Sequence, residues 1–189
     1  MTAAALRARL IVLLSLAGII NYADRQIIAI LKPLIEHSVG WSDATYGSII
    51  AAFQLATAIA CLFAGSLVDR IGLKWANPLS VGSFSVVSAA HALARTSTQF
   101  ALARAGLGVT EALATPAVIK TVGECFEPEP RARALGWINA SNSVGAIITP
   151  LIVPAVALAF GWRVAFVAVG AVGLLWTAAW LWLMRSFDS

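Results

Sequence analysis

The organisation of this chain is set by the stretch Gly65-Ser66-Leu67-Val68-Asp69-Arg70-Ile71-Gly72-Leu73-Lys74, which ends one apolar run and leads into another. Gly65 has no side chain and permits close approach of a neighbouring helix, whereas Gly72 can adopt the backbone conformation of a tight turn. Arg70 and Lys74 place positive charge between two apolar runs, which favours the cytoplasmic side of a membrane. The stretch therefore predicts a short cytoplasmic loop between two membrane-spanning helices.

The composition of the whole chain agrees with this interpretation. Of the 189 residues, 60% are hydrophobic and only 12% are charged, whereas a soluble domain carries about 25% charged residues. Apolar runs long enough to cross a bilayer as helices occupy residues 10–31, 45–68, 75–94, 99–122, 134–160 and 164–184. They lack the period-2 alternation of membrane barrel strands. We expect an all-α integral membrane protein with six transmembrane helices.

The basic residues between the apolar runs predict the orientation of the chain. One side of the membrane would carry most of them, namely Arg7, Arg9, Arg70, Lys74, Lys120, Arg131, Arg133 and Arg185. The other side would carry only Lys32, Arg95 and Arg163. By the positive-inside rule, the first side and both termini are cytoplasmic. The net charge of +4 is dispersed, so it forms no basic face for nucleic acid.

Several other classes of function lack support in the sequence. Cys61 and Cys125 are far apart and show no metal-ligand spacing. There is no nucleophile–base pair and no phosphate-binding loop, so we expect neither an enzyme nor a cofactor. No small-x-small cleavage site follows the first apolar stretch before Asn21, and we expect an uncleaved first helix. The serines of the third run are expected to pack between helices.

Two predicted helices carry charges inside their apolar runs. The first contains Asn21-Tyr22-Ala23-Asp24-Arg25-Gln26, and the fourth contains Arg104 and Glu111. One charge at the centre of a spanning helix costs roughly 2.5–3.5 kcal/mol on the insertion scale. Arg104 and Glu111 are nearly two helical turns apart and should share one face. These four charges must therefore meet each other or line a polar cavity, unless an Arg–Glu bond merely holds helices together.

The opening stretch resembles the signature loop of the major facilitator superfamily of secondary transporters. The resemblance rests on the pattern Gly-x-x-x-Asp-Arg-x-Gly-x-Lys, carried here by Gly65, Asp69, Arg70, Gly72 and Lys74. In that family the acidic residue of the loop braces against a helix of the other half of the transporter in one conformation. The resemblance thus implies that Asp69 is a gating contact.

Four further stretches are similar to the anion:cation symporter branch of this superfamily, whose members carry hexuronates, galactonate, glucarate and other organic anions. They are Asn21 to Arg25, Arg104 to Gly108 with Glu111, Gly136 to Pro150, and Gly161 to Phe166. The chain departs from this branch at Gln54 and Thr57, where relatives often have an aromatic residue. The fifth-helix stretch also partly mimics proton-driven drug antiporters, although Thr149 stands where their motif has glycine.

The resemblance implies a central cavity lined by the first, second, fourth and fifth helices. Arg25 presents a planar fork that suits a carboxylate, so we expect it to anchor an anionic substrate. The remaining substrate-binding residues are expected to be Tyr22, Gln54, Asn139 and Asn142. Asp24 and Glu111 are candidate proton carriers, because burial favours the neutral form of a carboxyl group. Arg104 is expected to be a switchable partner of Glu111.

Together these observations predict that residues 1–189 form the N-terminal six-helix half of a proton-coupled symporter for an organic anion such as a hexuronate. Its partners would be a small organic anion, protons, the lipid bilayer and a C-terminal six-helix half. Its location would be the inner (plasma) membrane. Two alternatives remain open, a drug–proton antiporter and a non-transporting receptor or assembly partner with the same fold.

Overall fold

The computed structural model describes residues 3–185, and all of the regular secondary structure in this range is helical. The helices are α1 (Ala3–Val39), α2 (Asp43–Ala90), a short 3₁₀ turn (His91–Leu93), α3 (Ser97–Glu111), α4 (Ala114–Cys125), α5 (Pro128–Phe160) and α6 (Trp162–Arg185). The expectation of an all-helical fold is confirmed.

Four of the described helical segments are long and apolar enough to cross a membrane. They are Ala5–Val39, Asp43–Leu93, Pro128–Phe160 and Trp162–Arg185. The second of them joins the second and third predicted spans. At about 1.5 Å per residue, the 48 residues of α2 would extend roughly 72 Å if straight, more than twice the thickness of a hydrocarbon core of about 30 Å.

Gly72 divides α2 into two arms. Its φ of 72° and ψ of 166° are not helical, and a positive φ of this kind is readily adopted only by glycine. The predicted turn at Gly72 is confirmed. The other expected role of a loop glycine is not: a Cβ built on Gly65 meets no described atom within 4 Å, so this chain makes no close helix approach there.

The fourth predicted span is divided between α3 and α4, with a break at Ala112 and Leu113. Pro116 explains the position of this break, because it has no N–H to donate to the carbonyl of residue 112. At 15 and 12 residues, each segment alone is shorter than the roughly 20 residues of a spanning helix. The break places Glu111 at the end of α3.

Glycines allow the helices to approach one another closely. A Cβ on Gly145 of α5 would lie 3.0 Å from the carbonyl oxygen of Ile19 on α1. A Cβ on Gly170 of α6 would lie 2.5 Å from the carbonyl oxygen of Ser85 in the second arm of α2. Small residues at helix interfaces are the usual means of tight packing in membranes. They bring α5 against α1 and α6 against α2.

Polar contacts fasten the two ends of the bundle. At one end, Ser42 caps α2 by accepting a hydrogen bond from the Thr45 N–H at 3.1 Å. Arg163 at the same end donates to the Ala92 carbonyl at 3.0 Å. At the other end, Arg7 donates from Nε to the Cys125 carbonyl at 3.1 Å. The loops are therefore held by arginine-to-carbonyl bonds on both sides.

Candidate functional site

The four charged residues of the first and fourth predicted spans come together in the structure, and we call Asp24, Arg25, Arg104 and Glu111 the charge cluster. Arg25 donates from Nε to Oε2 of Glu111 at 2.7 Å. The Glu111 side chain is fully buried, whereas 46% of the Arg25 side chain is exposed. A half-exposed arginine is thus held by a carboxylate that has no access to solvent.

Asp24 and Arg104 lie deeper and are both 1% exposed. Arg104 donates from Nη1 to the backbone carbonyl of Asp24 at 3.2 Å. The Asp24 carboxylate accepts a hydrogen bond from the hydroxyl of Ser88, which lies in the second arm of α2 and is also buried. Arg104 and Glu111 both act electrostatically on Asp24. The cluster therefore joins α1, α2 and α3 around two acids and two bases.

The charge cluster retains hydrogen-bonding capacity that the protein does not use. Four of its buried polar atoms have no hydrogen-bond partner among the described residues: Asp24 Oδ2, Glu111 Oε1, Arg104 Nε and Arg104 Nη2. Native structures leave few buried polar groups unsatisfied, and each such group calls for an explanation. These atoms lie together in one cluster and could accept or donate hydrogen bonds to a water molecule, an ion or a ligand.

Phe53 of α2 lies beside both arginines. The Cζ atom of Arg25 is 5.8 Å from the ring centroid, and the Cζ atom of Arg104 is 6.0 Å from it. Both distances are within the range of a cation–π interaction. The ring is 7% exposed, so the first arm of α2 contributes an apolar wall to the cluster.

A cavity of about 210 Å³ adjoins the charge cluster. Its polar lining comes largely from amides, and we call it the amide cavity after Asn21, Asn77, Asn139 and Asn142. Asn21 lines this cavity and also lies beside Glu111. Asn77 donates to the Thr121 hydroxyl at 2.7 Å and is thereby engaged in helix packing. Asn139 and Asn142 remain as amides that can face a ligand.

The structure does not bring all of the predicted substrate-binding residues into the amide cavity. Asn139 and Asn142 line it, whereas Gln54 and Tyr22 do not. Tyr22 is 36% exposed and Gln54 is exposed. Arg25 also lies outside its lining. Tyr22 and Arg25 lie on α1, and Gln54 lies on the first arm of α2.

The signature loop carries an ion pair within this chain. Asp69 accepts from Nζ of Lys120 on α4 at 3.1 Å, and the same ammonium lies 3.2 Å from Oε1 of Glu124. The Asp69 side chain is 73% exposed, so the pair lies at the surface and can be exchanged. Arg70 is exposed as well.

Three residues of the site region were not predicted as functional residues from the sequence. Ser88 is one of the serines expected to pack between helices, Lys120 is expected only to orient the chain, and no feature of the sequence singles out Phe53. The sequence carries a weak signal for Ser88, which lies in an apolar run as a polar residue that needs a partner. His91 has a structural explanation, since its Nδ1 lies 2.9 Å from the Val87 carbonyl and its ring stacks on Phe166 at 5.1 Å.

Comparison with known proteins identifies the family of this chain. The sequence profile of the Major Facilitator Superfamily matches residues 14–188. The chain is 33% identical over 174 residues to a protein described as a probable L-galactonate transporter of Escherichia coli K12, covering 92% of this chain and 38% of that protein. It is 33% identical over 170 residues to the hexuronate transporter of Bacillus subtilis, covering 90% of this chain and 40% of that protein.

A third relative is the galacturonate transporter of Dickeya chrysanthemi, 30% identical over 180 residues, with 95% of this chain and 52% of that protein covered. The chain thus spans between about two fifths and one half of the length of these relatives. Among solved structures, a bacterial homologue of the human lysosomal transporter Spinster in an inward-facing, unoccupied conformation superposes with a TM-score of 0.83. It is 24% identical, and 94% of this chain matches 43% of that one. This likeness concerns the fold.

Proposed function

The chain belongs to the Major Facilitator Superfamily, and from this membership we propose that it is the N-terminal six-helix half of a proton-coupled organic-anion symporter. The substrate class is a hexuronate or another sugar acid, in line with the names of the related L-galactonate, hexuronate and galacturonate transporters. The observation that carries the proposal is the pair formed by half-exposed Arg25 and buried Glu111 at 2.7 Å.

The helix lengths support a proposed total of six membrane crossings. α1, α5 and α6 each cross once, and the two arms of α2 on either side of Gly72 cross once each. α3 and α4 together form the sixth crossing, because residues 97–125 exceed the roughly 20 residues that a spanning helix needs. An even number of crossings would leave both termini on one side, and the excess of basic residues supports a cytoplasmic location for that side. The proposed location is the inner (plasma) membrane.

The Arg25–Glu111 pair supplies a physical link between anion and proton. A carboxylate substrate that binds the guanidinium of Arg25 competes with Glu111 for the same donors. Glu111 would then be a buried charge without its partner. Because Arg25 is half exposed, this costs about 1–3 kcal/mol, between the values for exposed and fully buried pairs. Protonation of Glu111 avoids this cost. The anion and a proton therefore bind in the same step, which is the requirement for symport.

The rest of a sugar acid would lie toward the amide cavity. With the carboxylate at Arg25, the hydroxyl groups point to Asn139 and Asn142, whose amides both donate and accept. Tyr22 and Gln54 lie on helices that flank Arg25 and would cover the substrate from the other side. Asp24 and Arg104 lie behind them as the second acid–base pair and take no direct part in holding the anion.

The signature loop would couple this site to a C-terminal half. Asp69 pairs with Lys120 at 3.1 Å within the chain, and exposed pairs of this kind contribute little to stability because water screens them. Such a weak pair can be exchanged for a contact across the two halves during the rocking motion of alternating access. Asp69 would thus be a gating residue whose resting partner is Lys120.

Uptake by proteoliposomes tests the proposal. The chain is produced together with a C-terminal half, and labelled D-galacturonate and L-galactonate are offered under an inward proton gradient, an inward sodium gradient or no gradient. We expect accumulation only with the proton gradient. Sodium-driven accumulation contradicts proton coupling. Efflux of ethidium driven by protons, without uptake of either acid, would instead identify a drug antiporter.

A further inference from the structure

Phe53 lies beside both arginines of the charge cluster but has no role in the transport cycle proposed above. Its ring lies within cation–π distance of both arginines of the charge cluster, at 5.8 Å from Arg25 Cζ and 6.0 Å from Arg104 Cζ. Two guanidinium groups of like charge repel each other. An aromatic ring beside both of them attracts each, because its face carries a partial negative charge. A purely apolar packing residue would not have this effect.

Arg104 depends on such a neighbour more than an ordinary arginine does. It is 1% exposed, and its Nε and Nη2 atoms have no hydrogen-bond partner among the described residues. Its Nη1 atom donates to the Asp24 carbonyl at 3.2 Å. The ring face of Phe53 therefore stabilises the charge of a guanidinium that lacks most of its possible hydrogen bonds.

The position of Phe53 is itself fixed by the backbone around it. Thr57 donates its hydroxyl hydrogen to the Phe53 carbonyl at 2.8 Å. A Cβ on Gly108 of α3 would come within 2.6 Å of the same carbonyl oxygen, so α2 and α3 touch at this point. Since α3 also carries Arg104, the ring and one of its two arginines belong to one tightly packed interface.

We propose that Phe53 is a positioning residue whose ring holds the guanidinium groups of Arg25 and Arg104 in place, so that Arg25 is preorganised for the anionic substrate. The proposal rests on the proposed function for the identity of the substrate. Phe53 makes no contact with the transported proton in this proposal. Its effect is on the orientation of Arg25, and hence on apparent affinity more than on maximal rate.

The experiment compares Phe53→Leu with Phe53→Tyr in the complete transporter that contains this half. Leucine retains an apolar side chain but removes the ring, whereas tyrosine retains the ring. We expect Phe53→Leu to raise the KM for labelled D-galacturonate roughly tenfold, the size of one partly desolvated cation–π contact, with little change in the rate at saturation. Phe53→Tyr should have a KM close to that of the wild type. Phe63→Leu is the matched control, because Phe63 lies on the same helix and is 67% exposed.

A second measurement needs no substrate. The protein is labelled with ¹⁵N-arginine, and the Nε–H signals of the two guanidinium groups are assigned with Arg25→Lys and Arg104→Lys. Removal of an aromatic ring abolishes its ring-current effect, so both signals should move in Phe53→Leu and return in Phe53→Tyr. If neither moves, the proposal is overturned, whatever the transport data show.

The two measurements separate failure of this proposal from failure of the proposed function. If both signals move but the KM in Phe53→Leu equals that of the wild type, the ring does not position Arg25 for the anion, and the proposal is wrong. A loss of maximal rate with unchanged KM indicates a folding defect and also contradicts it. If the wild type takes up neither D-galacturonate nor L-galactonate, the proposed function fails, and the arginine signals then decide only whether the Phe53 ring lies against both guanidinium groups.

Discussion

Replacement of Glu111 by glutamine separates anion binding from proton coupling. Glutamine has nearly the same shape as glutamic acid but cannot release a proton. The substitution removes the charge that holds Arg25, whose Nε lies 2.7 Å from Glu111 Oε2. Because 46% of the Arg25 side chain is exposed, water can solvate the released guanidinium, and the protein should still fold and insert.

The size of the effect follows from the burial of the pair. Exposed ion pairs contribute about 0–1 kcal/mol, and removal of one member of a fully buried pair costs about 3–5 kcal/mol. A pair with one buried and one half-exposed member lies between these limits, at about 1–3 kcal/mol. In the wild type an anion must overcome this attraction to reach Arg25. Its affinity should therefore rise about fivefold to a hundredfold in Glu111→Gln, since about 1.4 kcal/mol corresponds to a factor of ten.

The assay compares two activities of the same variant. Uphill uptake of labelled D-galacturonate driven by a proton gradient should disappear, whereas binding and substrate counterflow should persist. Glu124→Gln is the matched control, because Glu124 also forms an ion pair, with Lys120 at 3.2 Å, but lies outside the charge cluster. Normal proton-driven accumulation by Glu111→Gln would refute the role of Glu111 as the coupled carboxylate.

Three further predictions concern the proposed anion site, the buried acid and the need for a C-terminal half. Arg25→Lys keeps the charge but loses the planar fork, so the KM for D-galacturonate should rise while membrane insertion persists. An unchanged KM would indicate that the anion binds at a residue other than Arg25. Ser88→Ala leaves a carboxylate oxygen of Asp24 buried without its donor and should lower stability by about 1–3 kcal/mol, measured by thermal unfolding in detergent. Ser85→Ala, which removes a hydroxyl bonded within its own helix, is the control, and an equal loss there contradicts a special role for Ser88. Residues 1–189 alone should show no saturable uptake in proteoliposomes, because alternating access requires two halves, and proton-driven uptake by this chain alone would overturn the half-transporter proposal.

Local chemistry made several features of the fold predictable from the sequence. The turn at Gly72 and the cap at Ser42 each depend on one residue type in a defined local context. The break before Pro116 has the same origin, since the missing N–H acts only on the preceding turn. The high apolar content predicted an all-helical membrane protein for a similarly general reason, because helices satisfy their own backbone groups in lipid.

The pairing of the buried charges was not predictable in the same way. Spacing along α3 indicated that Arg104 and Glu111 share a face, and Arg104 was expected to be the switchable partner of Glu111. In the structure Arg25 bonds to Glu111, and Arg104 bonds to the Asp24 carbonyl. Which arginine reaches which acid depends on the rotation of α1 against α3, and this rotation is set by packing of whole helices. The partnership of Asp24 with Ser88 joins residues 64 positions apart and has the same origin.

The charges of the cluster suggest why two acids and two arginines occur together. Asp24 and Glu111 balance Arg25 and Arg104, so the empty site is neutral when both carboxyl groups are ionised. In the proposed cycle a monovalent sugar acid adds one negative charge, and neutrality returns when one proton binds. The same proposal has the anion release Glu111 from Arg25, so Glu111 is the carboxyl group expected to take this proton. Asp24 remains bonded to Ser88 and close to Arg104, and it offers a place for a second proton only when the site can tolerate a net positive charge.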